Sequence, residues 1–119
     1  MLSAKSLFIA ISTVVLTVSK ANAFTGRATW DSLGTTPCPV QCTPLTDFRV
    51  ALPVDLFPNG EHCCEKVQVT YQGTSLDVTF TDLFLAGQGS FNISLSNQAF
   101  AELAPLELDQ ISPVTWNFV

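Results

Sequence analysis

The fold is decided by the stretch VQVTYQGTSLDVTF at residues 67–80, where apolar and polar side chains alternate on both sides of a central Gln72-Gly73 pair. Alternation with a period of two is typical of strands that bury one face. A short glycine-containing connection between two such strands indicates a hairpin. The apolar positions of the two strands are Val67, Val69 and Tyr71, then Leu76, Val78 and Phe80. We therefore predict an antiparallel hairpin at the centre of the fold.

Shorter segments on both sides of this hairpin also have strand-like sequences. Residues 27–30 and 48–52 predict two strands before it, and the alternation over residues 114–118 predicts a final strand. Pro113 fits the start of that last strand, where a missing N–H is tolerated. The pattern is that of an all-β domain.

One helix is expected to interrupt the strands. Ser96 is of a residue type that caps helix N-termini. The helix that it begins would bury Ala99, Phe100 and Leu103 and stop before Pro105, which cannot continue it. The sequence therefore predicts an all-β barrel with one or two short helices.

The first 23 residues have the composition of a secretory signal peptide. A basic start precedes a mostly apolar stretch at residues 7–18, and residues 21–23 (Ala-Asn-Ala) have the small-x-small form of a cleavage site. This stretch is too short to span a bilayer, which takes about 20 apolar residues. We expect residues 1–23 to be removed and residues 24–119 to be a secreted, extracellular domain without a membrane anchor.

The predicted mature domain is acidic. Its basic residues are Arg27, Arg49 and Lys66, which stand against ten carboxylates and give a net charge of −7. Such a charge repels nucleic acid and other polyanions. Neutral polymers and basic protein surfaces remain as partners. The sequence has no phosphate-binding glycine motif, and we expect no cofactor.

All four cysteines lie in the predicted mature domain, at Cys38, Cys42, Cys63 and Cys64. An even number of cysteines in an exported chain indicates disulfides. A bridge between adjacent Cys63 and Cys64 needs strained geometry, so we predict two bridges between the 38/42 and 63/64 segments, with the individual pairing open. The alternative is a metal site with four thiolates, which two adjacent cysteines chelate poorly. We expect no metal.

Several short motifs follow one another in a fixed order along the mature chain. They are GRATW at residues 26–30, FPNG at 57–60 with His62-Cys63, TDLF at 81–84, SLS at 94–96 with Ala99-Phe100, and VTWNFV at 114–119. The ordered set resembles the secreted double-psi β-barrels, which include expansins, barwin-like and rare-lipoprotein-A-like domains and family-45 endoglucanases. The resemblance implies a six-stranded double-psi barrel of the single-domain fungal type, stapled by disulfides, over residues 24–119.

The resemblance also implies a groove around Asp82, in which this chain has replaced two of the family's polar residues. Where the family usually has a carboxylate this chain has Ser94, and where the family has a tyrosine it has Phe84. A serine hydroxyl cannot donate a proton to a glycosidic oxygen at useful pH, and glycoside hydrolysis usually needs two carboxylates. The sequence does not place Asp31, the other acidic candidate. We therefore expect no catalytic residue and no cleavage of polysaccharide.

Two roles for Asp82 stay open. It continues the alternation of Val78 and Phe80, which predicts that it points to the side of their core face. It either accepts backbone hydrogen bonds at the strand end or lines the groove. The groove candidates are Asp82, Phe84, Trp30 and Ser94, although Trp30 suits the core at least as well as a sugar-stacking site.

Asn92-Ile93-Ser94 is an N-glycosylation sequon that uses the serine in the groove. In a eukaryotic source a glycan on Asn92 would stand beside the groove and obstruct a long polymer. A chance sequon is an equal alternative.

Three functions from different classes remain. The first is a non-enzymatic extracellular interaction protein, an effector or a protease inhibitor, since some small double-psi barrels inhibit papain-like cysteine proteases. The second is an expansin-like protein that binds or loosens cell-wall polysaccharide. The third is a weak glycan-cleaving enzyme. We favour the first, with the loop at residues 34–46 as the element that meets the partner, because a rigid loop loses less entropy on binding.

Overall fold

The computed structural model describes residues 23–34 and 36–119, so the predicted signal peptide lies outside the described residues except for residue 23. The described residues form six strands, one α-helix and two short 3-10 turns. The strands are β1 (Phe24–Asp31), β2 (Arg49–Pro53), β3 (Lys66–Tyr71), β4 (Thr74–Phe84), β5 (Ile93–Ser96) and β6 (Gln110–Phe118). Helix α1 (Asn97–Leu103) lies between β5 and β6, and the 3-10 turns are Leu85–Gly87 and Leu106–Leu108. No helix in these ranges is long and apolar enough to cross a membrane.

The strands close into a barrel in the order β1-β5-β2-β4-β3-β6. β5 runs parallel to β1, and β4 runs parallel to β2, whereas the other neighbours are antiparallel. Closure gives every strand two hydrogen-bonded neighbours and removes the open edges of a sheet. The predicted six-stranded barrel is confirmed.

The central hairpin is also confirmed. Val67 of β3 lies opposite Val78 of β4, and Val69 lies opposite Leu76. The connecting Gln72 and Gly73 have positive φ values of 48° and 82°, the backbone of a two-residue turn that fits the twist of a hairpin. The largest fully buried side chains of the core are Trp116, Phe80, Phe100, Leu52, Ile93 and Leu95.

The last strand begins earlier than the sequence predicts. β6 starts at Gln110, so Pro113 lies inside the strand and not at its start. Its pairing with β1 is irregular there, because the register shifts between Gly26 and Ala28. A bulge tolerates a residue that has no N–H to donate. Pro113 therefore does not end the strand.

Two disulfides fasten the long loop after β1 to the turn before β3. Cys38 is bonded to Cys63 and Cys42 to Cys64, with Cα–Cα distances of 6.2 and 5.2 Å. This confirms the predicted bridging of the two segments and fixes the pairing that the sequence left open. No cysteine is free, so the four-thiolate metal site is wrong. Each bridge closes a loop of about 20 to 25 residues and contributes about 3 kcal/mol in the chain-entropy model.

The hydroxyl of Ser96 joins three parts of the chain around the barrel. Ser96 is fully buried and caps α1 by accepting a hydrogen bond from the Ala99 N–H at 3.4 Å, as the sequence predicts. Its Oγ also accepts from the Arg49 N–H at 3.2 Å and donates to the Asp47 carbonyl at 2.6 Å. The start of β2 is thereby fixed against β5 and the helix.

Replacing Ser96 with alanine should destabilise the domain by about 1–3 kcal/mol, because the cap is lost and buried backbone groups are left without a partner. Urea unfolding followed by tryptophan fluorescence measures the change. Ser75→Ala is the control, since the Ser75 hydroxyl pairs with Thr70 on an exposed surface and its loss should change stability by less than about 0.5 kcal/mol. Equal effects of both substitutions would contradict the linking role of Ser96.

Candidate functional site

Asp82 lies at a β-bulge in β4. In the parallel pairing with β2, Val50 lies opposite Phe80. The next residue of β2, Ala51, lies opposite Asp82, so Thr81 is an extra residue on β4. One extra residue moves the following side chains to the other face of the strand. The prediction that Asp82 shares the core face of Phe80 is therefore wrong, because the alternation is broken at Thr81.

A row of residues crosses four strands at the level of Asp82. Ala51 lies between Asp82 of β4 and Ser94 of β5, and Ser94 lies opposite Thr29 of β1. Since neighbouring strands are about 4.8 Å apart, the Cα atoms of Asp82 and Ser94 are separated by about 10 Å. The structure thus brings these two predicted site residues onto one face, with only the small side chain of Ala51 between them.

The carboxylate of Asp82 is buried, and only one of its two oxygens has a hydrogen-bond partner among the described residues. The residue is 4% exposed. Its Oδ1 accepts a hydrogen bond of 2.6 Å from the Thr81 hydroxyl. Its Oδ2 is buried and has no hydrogen-bond partner among the described residues. An unpartnered buried carboxylate oxygen is costly, so this carboxylate lowers the stability of the fold.

A cavity of about 190 Å³ opens beside Asp82, and we call it the Asp82 cavity. Its lining includes Asp31, Thr36, Ala51, Asp82, Leu83 and Phe84. Phe84, a groove candidate from the sequence, therefore lies in the wall next to Asp82. The cavity also contains Asp31, which the sequence could not place. Two carboxylates thus line one concave site.

Asp31 differs from Asp82 in its surroundings. It is exposed at the end of β1. Its Oδ1 accepts hydrogen bonds from the Ser32 hydroxyl at 3.4 Å and the Leu33 N–H at 3.3 Å. Short side-chain to backbone bonds of this kind stabilise a turn. Asp31 therefore shapes the start of the following loop while it contributes negative charge to the Asp82 cavity.

Two other sequence candidates, Trp30 and Asn92, have contacts of their own outside the Asp82 cavity. Trp30 packs against the core, and its indole N–H donates to the Leu106 carbonyl at 3.0 Å. Asn92 is half-buried and its Oδ1 accepts from the Arg27 N–H at 2.9 Å. Neither Trp30 nor Asn92 lines the Asp82 cavity. Glycosylation of Asn92 stays a prediction.

The loop at residues 36–46, which we call the stapled loop, is fastened to the barrel at several points. Its two cysteines form the two disulfides. The Cys38 N–H donates to the Thr81 carbonyl at 2.9 Å, and the Leu83 N–H donates to the Thr36 carbonyl at 2.8 Å. The loop exposes two apolar side chains, Val40 (56%) between the two cysteines and Leu45 (67%) three residues after Cys42.

A second cavity, of about 430 Å³, lies between the stapled loop and the barrel, and we call it the loop cavity. Asp82 and Arg49 both line it, so Asp82 borders both cavities. The Arg49 Nη2 donates to the Ser32 carbonyl at 3.2 Å, whereas its Nε is buried without a partner among the described residues. The sequence analysis missed Arg49, although one charged residue in the apolar segment FRVAL was a signal.

Comparison with known proteins relates this chain to two groups. No model of a known protein family matches it. The papain inhibitor of Streptomyces mobaraensis is 36% identical over 64 residues, which cover 52% of this chain and 44% of the relative. A solved Streptomyces papain inhibitor aligns with a TM-score of 0.69 at 28% identity, over 83% of this chain and 96% of that one. An expansin of Clavibacter michiganensis, solved as a mutant with cellohexaose, aligns with a TM-score of 0.67 at 25% identity, over 82% of this chain and 50% of that one.

These similarities agree with the barrel seen here. The chain is a six-stranded double-psi β-barrel, stapled by two disulfides. Both non-enzymatic classes weighed from the sequence, the protease inhibitor and the expansin-like protein, are represented among the similar proteins. These relatives are bacterial, so the fungal type and the barwin-like and rare-lipoprotein-A-like subgroups stay predictions. The chain spans less than half of its curated relative.

Replacing Asp82 with asparagine should stabilise the domain by about 0.5–2 kcal/mol, because a buried charge without a partner for Oδ2 becomes a neutral amide of the same shape. The midpoint of urea unfolding measures this change. The control is Asp77→Asn, since Asp77 is exposed on the same strand. A loss of more than about 1 kcal/mol for Asp82→Asn alone would show that the carboxylate has a structural role.

Proposed function

We propose that this chain is a secreted, non-catalytic double-psi barrel that recognises other extracellular molecules, and that its principal target is a papain-like cysteine protease, which it inhibits. The stapled loop carries the proposal, because it presents Val40 and Leu45 to solvent on a backbone held by two disulfides. The similarity to a papain inhibitor over 83% of this chain supports the same function. Two disulfides also fit an oxidising, extracellular compartment.

The physical basis of inhibition is the fixed shape of the stapled loop. A flexible loop loses conformational freedom when it binds, and this loss lowers affinity. Here the covalent bridges and the backbone bonds to Thr81 and Leu83 have already removed most of that freedom. The loop therefore meets its partner in one conformation, and the apolar contacts of Val40 and Leu45 contribute to affinity without a large ordering cost.

The binding surface extends beyond the loop. Gly34 lines both the Asp82 cavity and the loop cavity, and the two cavities share Asp82. Loop and cavities are thus continuous on one side of the barrel. A stable protein complex buries about 800 Å² on each partner, which two apolar side chains alone do not supply. The interface with the protease therefore includes the stapled loop, the Asp82 cavity and the loop cavity.

A second candidate function is the binding of a neutral polysaccharide. The expansin with a TM-score of 0.67 was solved with cellohexaose, and the Asp82 cavity has Phe84 in its wall. An aromatic ring and a carboxylate next to each other suit a sugar, since the ring contacts the sugar face while the carboxylate accepts hydroxyl donors. We rank this function second, because Trp30 packs into the core and leaves the cavity with one aromatic wall.

Inhibition of papain tests the first function. The purified domain should inhibit papain with a dissociation constant in the micromolar range or below. Val40→Asp and Leu45→Asp should each weaken inhibition by about tenfold or more, because a charge replaces an apolar contact at the centre of the interface. Initial rates on a fluorogenic peptide give the inhibition constants.

The matched control for these variants is Leu108→Asp. Leu108 is 53% exposed and lies on the 3-10 turn after α1, away from the stapled loop in sequence. The Leu108→Asp variant should inhibit papain as strongly as the unsubstituted chain does. The proposal would be withdrawn if the parent chain, shown to be folded by its unfolding transition, left papain fully active at micromolar concentration.

Incubation with cellohexaose tests whether the chain cleaves a glycan. We expect the oligosaccharide to remain intact, because Ser94 replaces the acid that the family uses and Asp31 is exposed and engaged in a turn. Mass spectrometry of the products after a long incubation measures this. Release of shorter oligosaccharides that disappears in both Asp82→Asn and Asp31→Asn would instead make the chain a glycan-cleaving enzyme.

A further inference from the structure

Half of the large apolar side chains that the barrel exposes lie around two adjacent cavities. Within the described ranges, six such side chains are exposed, which are those of Val40, Leu45, Leu85, Phe91, Leu108 and Val119. Val40 and Leu45 line the loop cavity, and Leu85 lines the Asp82 cavity. The other three line neither of these cavities. Leu85 is thus the one member of the group at the cavities that does not belong to the stapled loop.

Leu85 and the stapled loop line the same cavity. Thr36, the first described residue of that loop, and Leu85 both contribute to the wall of the Asp82 cavity. Two residues before Leu85, the Leu83 N–H donates to the Thr36 carbonyl at 2.8 Å. Since an extended strand rises about 3.3 Å per residue, Leu85 lies about 7 Å along the chain from this hydrogen bond. One partner surface can therefore contact Leu85 and the stapled loop at the same time.

The segment at residues 85–90, which we call the Leu85 turn, is fixed to the barrel as the stapled loop is. Gly87 within it is buried, and a Cβ atom there would lie 2.7 Å from the Cδ2 atom of the Phe84 ring. Only glycine allows the backbone to approach the ring so closely. The Gly89 N–H donates to the Asp55 carboxylate at 2.9 Å. The Leu85 turn therefore loses little conformational freedom when a partner binds to it.

The proposed interface needs more apolar surface than the stapled loop exposes. A stable protein complex buries about 800 Å² on each partner, and the contacts that contribute most to affinity are those from which water is excluded. Val40 and Leu45 provide such contacts on the side of the loop cavity. Leu85 is the large exposed apolar side chain on the wall of the Asp82 cavity. A partner that covers both cavities buries all three side chains.

We propose that Leu85 is a second apolar anchor, which binds the cysteine protease together with the stapled loop. In the complex, the Leu85 side chain packs against an apolar surface of the protease and loses its contact with water. The stapled loop and the Leu85 turn are both held by β4 and its neighbours, so their contacts with the protease form together. The inference rests on the proposed function, because the protease is the partner that covers Leu85.

Inhibition of papain by two matched variants tests the second anchor. Leu85→Asn replaces the apolar side chain with a polar one of similar size, and it adds no charge beside Asp31 and Asp82. It should weaken inhibition by about tenfold or more. Leu108→Asn is the control, because Leu108 also lies on a 3-10 turn and is 53% exposed, against 57% for Leu85. The Leu108→Asn variant should inhibit papain as strongly as the unsubstituted chain does.

A conservative substitution separates a lost contact from a disturbed fold. Leu85→Met keeps a large apolar side chain, so it should inhibit papain within about twofold of the unsubstituted chain. The midpoints of urea unfolding should be the same for all of these variants, because the substituted side chains are exposed. Calorimetric titration of each variant into papain measures binding independently of inhibition.

The outcomes separate the second anchor from the proposed function. If papain is inhibited equally by the unsubstituted chain and by Leu85→Asn, the anchor is wrong and the proposed function stands. If the chain binds papain without inhibiting it, and Leu85→Asn weakens that binding, the anchor stands and the inhibition is wrong. If the chain does not bind papain at all, both are wrong. A chain that light scattering shows to be a dimer, and that Leu85→Asn makes monomeric, would overturn the anchor in favour of a contact between two copies.

Discussion

The bulge at Thr81 is the constraint on which the site depends. By adding one residue to β4 opposite β2, it turns Asp82 away from the core side of Phe80 and places it in line with Ala51 and Ser94. Without the bulge, the same carboxylate would lie among apolar core side chains, where its charge is very unfavourable. Bulges are frequent next to functional sites, where they redirect a side chain. The local break in a regular strand thus determines what the domain presents to a partner.

The stapled loop is hydrogen-bonded to the segment of β4 that contains the bulge. Its backbone pairs with β4 on both sides of Asp82, through the bonds of Cys38 to Thr81 and of Leu83 to Thr36. β3 pairs with β4 only as far as Thr79, so the loop takes over beyond the end of that strand. The disulfides then fix the loop covalently to the turn before β3. One strand segment therefore holds the buried carboxylate, the two cavities and the exposed apolar loop in one rigid arrangement.

The barrel was easier to predict than the site, for a physical reason. The hairpin, the Ser96 cap and the bridging of the two cysteine segments depend on local patterns that a sequence displays directly. β5 has only four residues, and because all are buried it shows no alternation. Pro113 lies inside β6 where β6 has one residue more than its partner β1. The orientation of Asp82 and the placing of Asp31 beside it depend on pairing between distant segments, which alternation along one strand does not report. The sequence did not predict that Arg49 lines the loop cavity, because the other residues of that cavity come from distant segments of the chain.

The most direct test of the account is hydrogen–deuterium exchange of this chain with and without papain. A recognition surface on the side of the bulge predicts slower exchange in residues 36–46 and 82–86 when the protease is bound, with β6 unchanged. Slower exchange confined to β6, with the stapled loop exchanging at its free rate, would contradict the account, because β6 is not a neighbour of β4 and none of its residues lines the Asp82 cavity or the loop cavity.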